Sequence, residues 1–262
     1  MTDATPPIGT GPTVLLVHGG FADGSSWNGV VERLQAAGIP VRALVNPLRG
    51  LSADAAYVAS AIEQTSGPVL AVGHSYGGAV VTNAAAKAGN VVGLVYVAAF
   101  APDEGESLAD VERDSKDSVV GTALIASRYP TGRGAETAVE FTIDPARFHE
   151  VFAADLPVEQ TVVLAATQRP FAELGFTEPS GPPAWRTLPS WAVVPTGDKV
   201  AGSDVLRSMA ERAGAATVEV EGSHVVMMSR PQVVTDLILQ AADAVRDRIA
   251  STSGWGAGSG LR

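Results

Sequence analysis

The stretch VLAVGHSYGG, residues 69–78, constrains the fold of this chain more than any other feature. Its first four residues have the apolar composition of a buried strand, and the run 79–88 that follows is suited to a helix. A strand that passes directly into a helix needs a very tight turn. Small residues two positions before and after Ser75, here Gly73 and Gly77, avoid a backbone clash, so a strained turn that exposes the Ser75 hydroxyl is predicted. The competing interpretation is a glycine-rich turn whose serine only caps the helix.

The same alternation of strand and helix continues on both sides of this turn. Short apolar runs predict strands at 13–18, 41–45, 69–72, 91–97, 191–194 and 217–220. Helical spacing or composition predicts helices at 26–37, 52–65, 79–88, 203–213 and 231–249. Continuous apolar strands that alternate with helices indicate an α/β fold, with a mostly parallel sheet of about six strands and helices on both faces.

A long segment between the fourth and fifth predicted strands breaks this alternation. Residues 101–188 are rich in proline, glycine and charge, with helical fragments at 146–154 and 158–166 and no convincing strand. We expect a helical cap over the carboxyl edge of the sheet, where ligands bind in open α/β sheets, in preference to an ordinary surface excursion. The predicted organisation is a flexible N-terminus at 1–12, a core made of 13–106 and 189–250, the cap at 107–188 and a flexible tail at 251–262.

Composition limits the classes of function. Hydrophobic residues make up 46% of the 262 residues, which is enough for a full core, and the net charge is −10 without a basic stripe. Nucleic-acid binding is therefore not expected. The absence of cysteine excludes disulfides and a thiol nucleophile. No apolar stretch approaches the roughly 20 residues that span a bilayer, so we expect a cytoplasmic protein without a membrane partner. Its oligomeric state cannot be predicted.

A serine nucleophile needs a base, and the chain has four histidines. His224 follows the last predicted strand, at the sheet edge that carries Ser75, and is the predicted general base. His74 lies inside the turn and is expected to point away from Ser75. His18 ends the first strand, and His149 lies in the cap, where packing is the simpler explanation.

The base needs a carboxylate that fixes its tautomer. Asp198 follows the predicted strand 191–194 and fits best; Asp103 is the second candidate, and Asp204 is expected to begin the next helix. An oxyanion needs two backbone N–H donors, for which we choose Tyr76 and Gly20, with Phe21 as a further possibility. The simpler alternative is that Gly19 and Gly20 only form a turn.

Five segments together resemble small α/β-hydrolases of the esterase group, which also holds plant methyl-ester esterases and α-hydroxynitrile lyases. These segments are VLLVHGGFADGSSW, VGHSYGG, VYVAAFAPDEGES, PTGDKV and VEGSHVVMMSRP. The resemblance covers 13–101 and 190–249. It implies a Ser75–Asp198–His224 triad, an oxyanion hole from Gly20 and Tyr76, and no cofactor.

The lyases of this group place Thr or Asn after the first-loop histidine, and some place Lys after the catalytic histidine. Gly19 and Val225 occupy those positions here, which favours ester hydrolysis over cyanohydrin cleavage. We therefore expect an enzyme that cleaves small apolar carboxylic esters through an acyl-enzyme. A lactonase or C–C bond hydrolase, and a non-catalytic ligand receptor, are the alternatives. No metal is expected, and the predicted pocket residues are Phe21, Val225 and Trp185, joined by Tyr76, Phe148, Phe152, Phe171 and Phe176.

Overall fold

The computed structural model of the protein describes residues 11–253. The predicted flexible ends, 1–12 and 251–262, lie largely outside this range. Nine strands are described: β1 (Thr13–Val17), β2 (Val41–Leu44), β3 (Val69–His74), β4 (Val91–Val97), β5 (Leu124–Pro130), β6 (Thr137–Ile143), β7 (Phe171–Ala172), β8 (Ser190–Pro195) and β9 (Ala216–Val220). Within the described part of the chain, no helix has the length and apolar character needed to cross a bilayer.

Ten α-helices accompany these strands in residues 11–253. They are α1 (Asn28–Ala36), α2 (Leu51–Glu63), α3 (Tyr76–Ala85), α4 (Leu108–Glu112), α5 (Pro145–Phe152), α6 (Val158–Thr167), α7 (Glu173–Thr177), α8 (Ser203–Arg212), α9 (Val226–Ser229) and α10 (Pro231–Ser253). α1 packs against α10 and α2 packs against α3.

Six strands form one parallel sheet in the order β2-β1-β3-β4-β8-β9, which confirms the predicted α/β architecture. The chain moves from β1 outward to β2 and then crosses back to β3 and onward to β4. Because crossovers are right-handed, α1 lies on one face of the sheet, and α2 and α3 lie on the other. The direction reverses between β1 and β3, and a crevice forms at the carboxyl ends of strands at such a point.

Burial along the strands explains why this sheet was predictable. Every residue of β3 and of β8 is buried, as expected for inner strands covered by helices on both faces. The edge strands β2 and β9 are more exposed. The inner strands therefore read as continuous apolar runs, which the sequence displays.

The prediction of an all-helical cap is wrong. The segment between β4 and β8 contains a three-stranded antiparallel sheet in the order β5-β6-β7, besides the expected helices α5 and α6. β5 and β6 form a hairpin whose turn includes Gly132 and Gly134, with φ of 80° and 62°. Most residues of β5 are exposed, so this strand has no buried face to produce an apolar or alternating run.

Candidate active site

Ser75 stands at the sharp turn between β3 and α3. Its backbone has φ 54° and ψ −127°, a conformation that costs energy for a residue with a side chain. Hydrogen bonds hold the turn in place: the Ser75 N–H donates to Ala98 O at 3.2 Å, and Ser75 O accepts from Gly78 N at 2.9 Å. The strained serine turn predicted from the sequence is therefore present, fastened to the end of β4, but Ser75 is buried and not exposed as predicted.

Three glycines make room for this turn. A Cβ on Gly73 would lie 2.5 Å from the backbone of Gly77, and a Cβ on Gly77 would overlap the carbonyl oxygen of Val17. A Cβ on Gly19 would lie 2.5 Å from the Cβ of Ser75. Backbone groups cannot move aside as a flexible side chain can, so β1, β3 and α3 approach this closely only because these positions lack side chains.

Replacing Gly77 by alanine is therefore expected to destabilise the protein by about 3 kcal/mol or more, because the new methyl group meets the backbone of β1. Urea unfolding measures this free energy. The matched control is Gly89→Ala, since Gly89 is exposed and a Cβ there meets nothing within 4 Å. That variant should stay within about 0.5 kcal/mol of the wild type. Equal stability of the two variants would contradict the steric argument.

His224 and Asp198 lie together at the same edge of the sheet. The His224 Nδ1 is 2.6 Å from Asp198 Oδ2, and both side chains are completely buried. The other carboxylate oxygen of Asp198 accepts from the N–H groups of Val200 at 2.9 Å and Ala201 at 3.0 Å. In a neutral imidazole, an Nδ1–H that donates to this carboxylate makes Nε2 the hydrogen-bond acceptor of the ring. Within residues 11–253, this buried Nε2 has no hydrogen-bond partner.

Two backbone contacts join the loops that carry these residues. The His74 Nε2–H donates to His224 O at 3.0 Å, and the two imidazole rings lie 4.8 Å apart. The Gly197 N–H donates to Gly222 O at 3.0 Å. Burial lowers the pKa of His74 well below its ordinary value, so this ring is a neutral donor. Sequence reasoning assigned His74 no role, yet it connects the serine turn to the loop of His224.

The other acidic and histidine candidates lie elsewhere. Asp103 forms an ion pair with Arg186 at 2.5 Å, on a part-exposed surface. Asp204 lies in the first turn of α8, as predicted, and accepts from the Ser115 hydroxyl at 2.7 Å. His149 faces Thr161 across α5 and α6 at 3.3 Å. The structure brings none of these side chains into hydrogen-bond contact with His224.

His18 organises the loop that follows β1. Its Nδ1–H donates to Gly19 O at 2.9 Å, and its Nε2 accepts from the Asn46 N–H at 3.1 Å. Arg169 of the cap donates to Asn46 O at 2.9 Å and approaches His18 Nε2 at 3.4 Å. Burial is the main reason that the pKa of His18 falls to about 4, and the Arg169 guanidinium lowers it further. His18 is therefore neutral at pH 7.

This lowered pKa makes stability depend on pH. The unfolded chain binds a proton at His18 near the ordinary pKa of 6.5, whereas the folded protein binds it only near 4. The unfolded state therefore takes up more protons between these values, and stability falls as the pH falls through this window. We expect His18 to account for a loss of about 2 kcal/mol between pH 7 and pH 5. His18→Asn should show a correspondingly smaller loss in urea unfolding; an unchanged pH dependence would contradict the assignment.

The two predicted oxyanion donors are Tyr76, which follows Ser75 in the chain, and Gly20, which follows the glycine that lies against the Ser75 Cβ. Tyr76 is the first residue of α3, so its N–H has no partner within the helix. Gly20 and Phe21 belong to the loop after β1, and Phe21 has a positive φ of 59°. The Tyr76 phenol donates to the buried carboxylate of Asp54 at 2.8 Å, which anchors the start of α3 to the start of α2. Asp54 carried no signal in the sequence, because its partner lies on another helix.

A mainly apolar slot lies between the first loop and the cap, and Val225, the residue after His224, forms part of its wall. Its volume is about 20 Å³, enough for about one water molecule. The large apolar residues on its walls are Phe21, Phe148, Phe152, Leu164, Val225 and Met228, and polar side chains such as Asp23 and Gln168 line the rest. Two of the three predicted pocket residues, Phe21 and Val225, therefore lie here. Trp185 does not: its indole N–H donates to Pro102 O at 3.1 Å, and its ring lies beside Arg212.

The cap also contacts the loop of His224 directly. The Phe152 ring lies 5.4 Å from the His224 ring, and Asp155 accepts a hydrogen bond from the Ser223 hydroxyl. Phe152 is the last residue of α5, and Asp155 follows shortly after it. No pattern in the sequence singled out Asp155, since an aspartate in a charged segment is ordinarily a solvated residue.

Comparison with solved structures shows the same fold in three enzymes. Polyneuridine aldehyde esterase has a TM-score of 0.72 at 18% identity, covering 88% of this chain and 99% of its own. A pyrethroid hydrolase from Sphingobium faniae JZ-2 has a TM-score of 0.71 at 22% identity, covering 89% of this chain and 98% of its own. A variant of tomato methylketone synthase I, complexed with beta-ketoheptanoate, has a TM-score of 0.71 at 19% identity, covering 89% of this chain and 98% of its own.

Comparison with curated protein sequences gives no match. At identities of 18–22%, the solved structures establish the fold and leave the substrate open. The sequence itself matches the Alpha/beta hydrolase family over residues 14–237, which includes β1, the serine turn, the cap, Asp198 and His224. The chain therefore belongs to the alpha/beta hydrolase family.

Proposed function

We propose that the protein is a serine hydrolase that cleaves carboxylic esters of small, largely apolar substrates. Ser75 is the nucleophile, His224 the general base and Asp198 the residue that orients the base. The observation that carries this proposal is the 2.6 Å contact of His224 Nδ1 with Asp198, which leaves a buried and unpartnered Nε2 in the cluster of loops around the strained Ser75.

Acylation begins when His224 Nε2 takes the proton of the Ser75 hydroxyl as its oxygen attacks the ester carbonyl carbon. The resulting imidazolium lies against Asp198, whose charge stabilises it without accepting its proton. The tetrahedral intermediate then breaks the bond to the alcohol oxygen, and Nε2 returns the proton to that oxygen. Water repeats the sequence on the acyl-enzyme and releases the acid. Every proton in these steps is carried by His224.

The negative oxygen of the intermediate is stabilised by two backbone donors. The Tyr76 N–H is one donor, because the first turn of α3 leaves it free and the helix N-terminus favours negative charge. The Gly20 N–H is the proposed second donor, with the neighbouring Phe21 N–H as the alternative. The hydrogen bonds of His18 and Arg169 fix the loop that presents both.

Two residues favour hydrolysis over lyase chemistry. Gly19 offers no side chain, and even a Cβ there would collide with Ser75, so residue 19 cannot bind a cyanohydrin hydroxyl. Val225 is buried and apolar, so no cation follows His224 to stabilise cyanide. Two structural neighbours, an esterase and a pyrethroid hydrolase, support the same reaction class.

A fluorophosphonate probe tests this proposal, since it forms a covalent bond only with an activated serine. We expect the probe to label the peptide that contains Ser75 and to abolish hydrolysis of p-nitrophenyl acetate in proportion to labelling. Ser75→Ala should not be labelled. Hydrolysis that survives complete labelling, or a labelled residue other than Ser75, would refute the assignment.

A further inference from the structure

The loop that carries His224 is held by the core on one side and by the cap on the other. On the core side, the His74 Nε2–H donates to His224 O at 3.0 Å. On the cap side, the Asp155 carboxylate accepts a hydrogen bond from the Ser223 hydroxyl. The cap therefore holds the residue that directly precedes the proposed base.

The Asp155 carboxylate lies close against the backbone of this loop. Its Oδ1 accepts from Ser223, and its Oδ2 is buried so close to the loop that a Cβ on Gly222 would lie 3.2 Å away. Burial alone raises the pKa of Asp155, but hydrogen bonds, first among them the one from the Ser223 hydroxyl, hold the pKa below its ordinary value. The carboxylate is therefore charged at neutral pH, and a charged acceptor makes a hydrogen bond roughly twice as strong as a neutral one.

The turn that presents Asp155 is anchored in the protein. It follows α5, which ends at the buried Phe152, and the Leu156 N–H closes it by donating to Ala153 O at 3.1 Å. The Phe152 ring lies 5.4 Å from the His224 ring. One turn of the cap therefore contacts both the ring of the proposed base and the residue before it.

Proton transfer depends on where this loop places the imidazole; this step rests on the proposed function. His224 Nδ1 must stay 2.6 Å from Asp198 Oδ2 while Nε2 meets the Ser75 hydroxyl. A displacement of about 1 Å can lower the rate by about 100-fold, even when its cause lies outside the reacting groups. Because Ser223 and His224 are adjacent in the chain, a movement of the Ser223 backbone also moves the Cα from which the imidazole extends.

We propose that Asp155 is a positioning residue for the proposed base: the cap, through the Ser223 hydroxyl, fixes the loop from which His224 acts. Asp155 takes up no proton in this reaction and acts only through Ser223. The alternative is that Asp155 merely fastens the cap to the core. That alternative predicts a loss of stability with an unchanged kcat, whereas a positioning role predicts a loss of kcat in a folded protein.

Asp155→Ala and Ser223→Ala test this role, because each removes one end of the hydrogen bond. Each variant should lower kcat and kcat/KM for p-nitrophenyl acetate by the same factor, about 10 to 100, with KM nearly unchanged, since the lost contact places a group that acts in the transition state. The double variant should fall no more than about twofold below the single variants, because the effects of contacting residues do not add. Asp155→Asn should recover most of the kcat, since its side-chain oxygen still accepts from Ser223.

Glu150→Ala is the matched control, because it removes a carboxylate from the helix that precedes Asp155. Glu150 is exposed and pairs with Arg147, one turn earlier, at 3.3 Å. Such surface pairs contribute little, about 0–1 kcal/mol, so this variant should keep kcat within about twofold of the wild-type value. Thermal unfolding checks that each variant is folded at the assay temperature, and Ser223→Ala serves if Asp155→Ala is not.

Three results would overturn the proposal: wild-type kcat in a folded Asp155→Ala or Ser223→Ala, single losses that multiply in the double variant, and an Asp155→Asn variant as impaired as Asp155→Ala. Fluorophosphonate labelling of the wild type separates the two hypotheses. A labelled, active enzyme with any of these results refutes only the role of Asp155. A wild-type protein that is neither labelled nor active refutes the proposed function, and the positioning role with it.

Discussion

Replacement of Ser75 by alanine is expected to lower kcat for p-nitrophenyl acetate by about 10⁶-fold, the loss seen when a serine hydrolase loses its nucleophile. The variant keeps the Cβ, so the backbone of the turn, with its φ of 54°, and the contact with Gly19 need not change. The loss would therefore come from chemistry and not from unfolding. Steady-state hydrolysis together with thermal unfolding separates these causes.

Ser60→Ala is the control for this substitution. Ser60 is exposed on α2, away from the cluster of Asp198 and His224. Among the described residues, its hydroxyl accepts a hydrogen bond only from Gln64, which caps the end of this helix. Removing this hydroxyl should leave kcat within about twofold of the wild-type value. A surface substitution of this kind usually changes the free energy of unfolding by no more than about 0.5 kcal/mol, so the fold is unaffected. Activity of Ser75→Ala within tenfold of wild type would rule out Ser75 as the nucleophile.

The sequence predicted those strands whose residues are all buried. β3 and β8 are buried on both faces, so each is visible as an apolar run. Ser75 was identified from the glycines on either side of its turn, and Asp198 and His224 from one rule, that parallel strands end at a common edge. The 2.6 Å contact between Asp198 and His224 agrees with that reasoning.

The missed features depend on contacts between distant parts of the chain. β5 is largely exposed, so its formation is decided by pairing with β6 and not by an apolar pattern. Asp54 and Asp155 are ordinary acidic residues until folding places them beside Tyr76 and Ser223. Trp185 was assigned to the pocket because it is aromatic and lies in the cap segment, but its position is decided by Pro102 and Arg212.

The cap also contacts both loops of the proposed active site. Phe152 lies on the ring of the proposed base, and Arg169 supports the loop of the proposed oxyanion donors. A substrate bound between cap and core, as we propose, would touch the same side chains that hold both loops. Changes in the cap should accordingly alter kcat as well as substrate preference, because they move groups that act in the transition state.

Asp198→Asn is expected to lower kcat by about 10⁴-fold while leaving the fold intact. The N–H groups of Val200 and Ala201 both donate to one oxygen of Asp198, so the asparagine must place its carbonyl oxygen there. Its NH2 group then faces His224 Nδ1 and donates to it. This donation moves the imidazole proton to Nε2, and a protonated Nε2 cannot accept the proton of Ser75.

The matched control is Asp103→Asn, which removes the charge of the second candidate acid. Asp103 pairs with Arg186 on a part-exposed surface, and such pairs contribute little, about 0–1 kcal/mol, to stability. Its kcat should therefore remain near the wild-type value. Steady-state kinetics with p-nitrophenyl acetate decides between the two carboxylates, and a large loss in Asp103→Asn with retained activity in Asp198→Asn would reverse the assignment. Because an asparagine amide is isosteric with the carboxylate of Asp198, a loss confined to Asp198→Asn would arise from the tautomer of His224 and not from a change in packing.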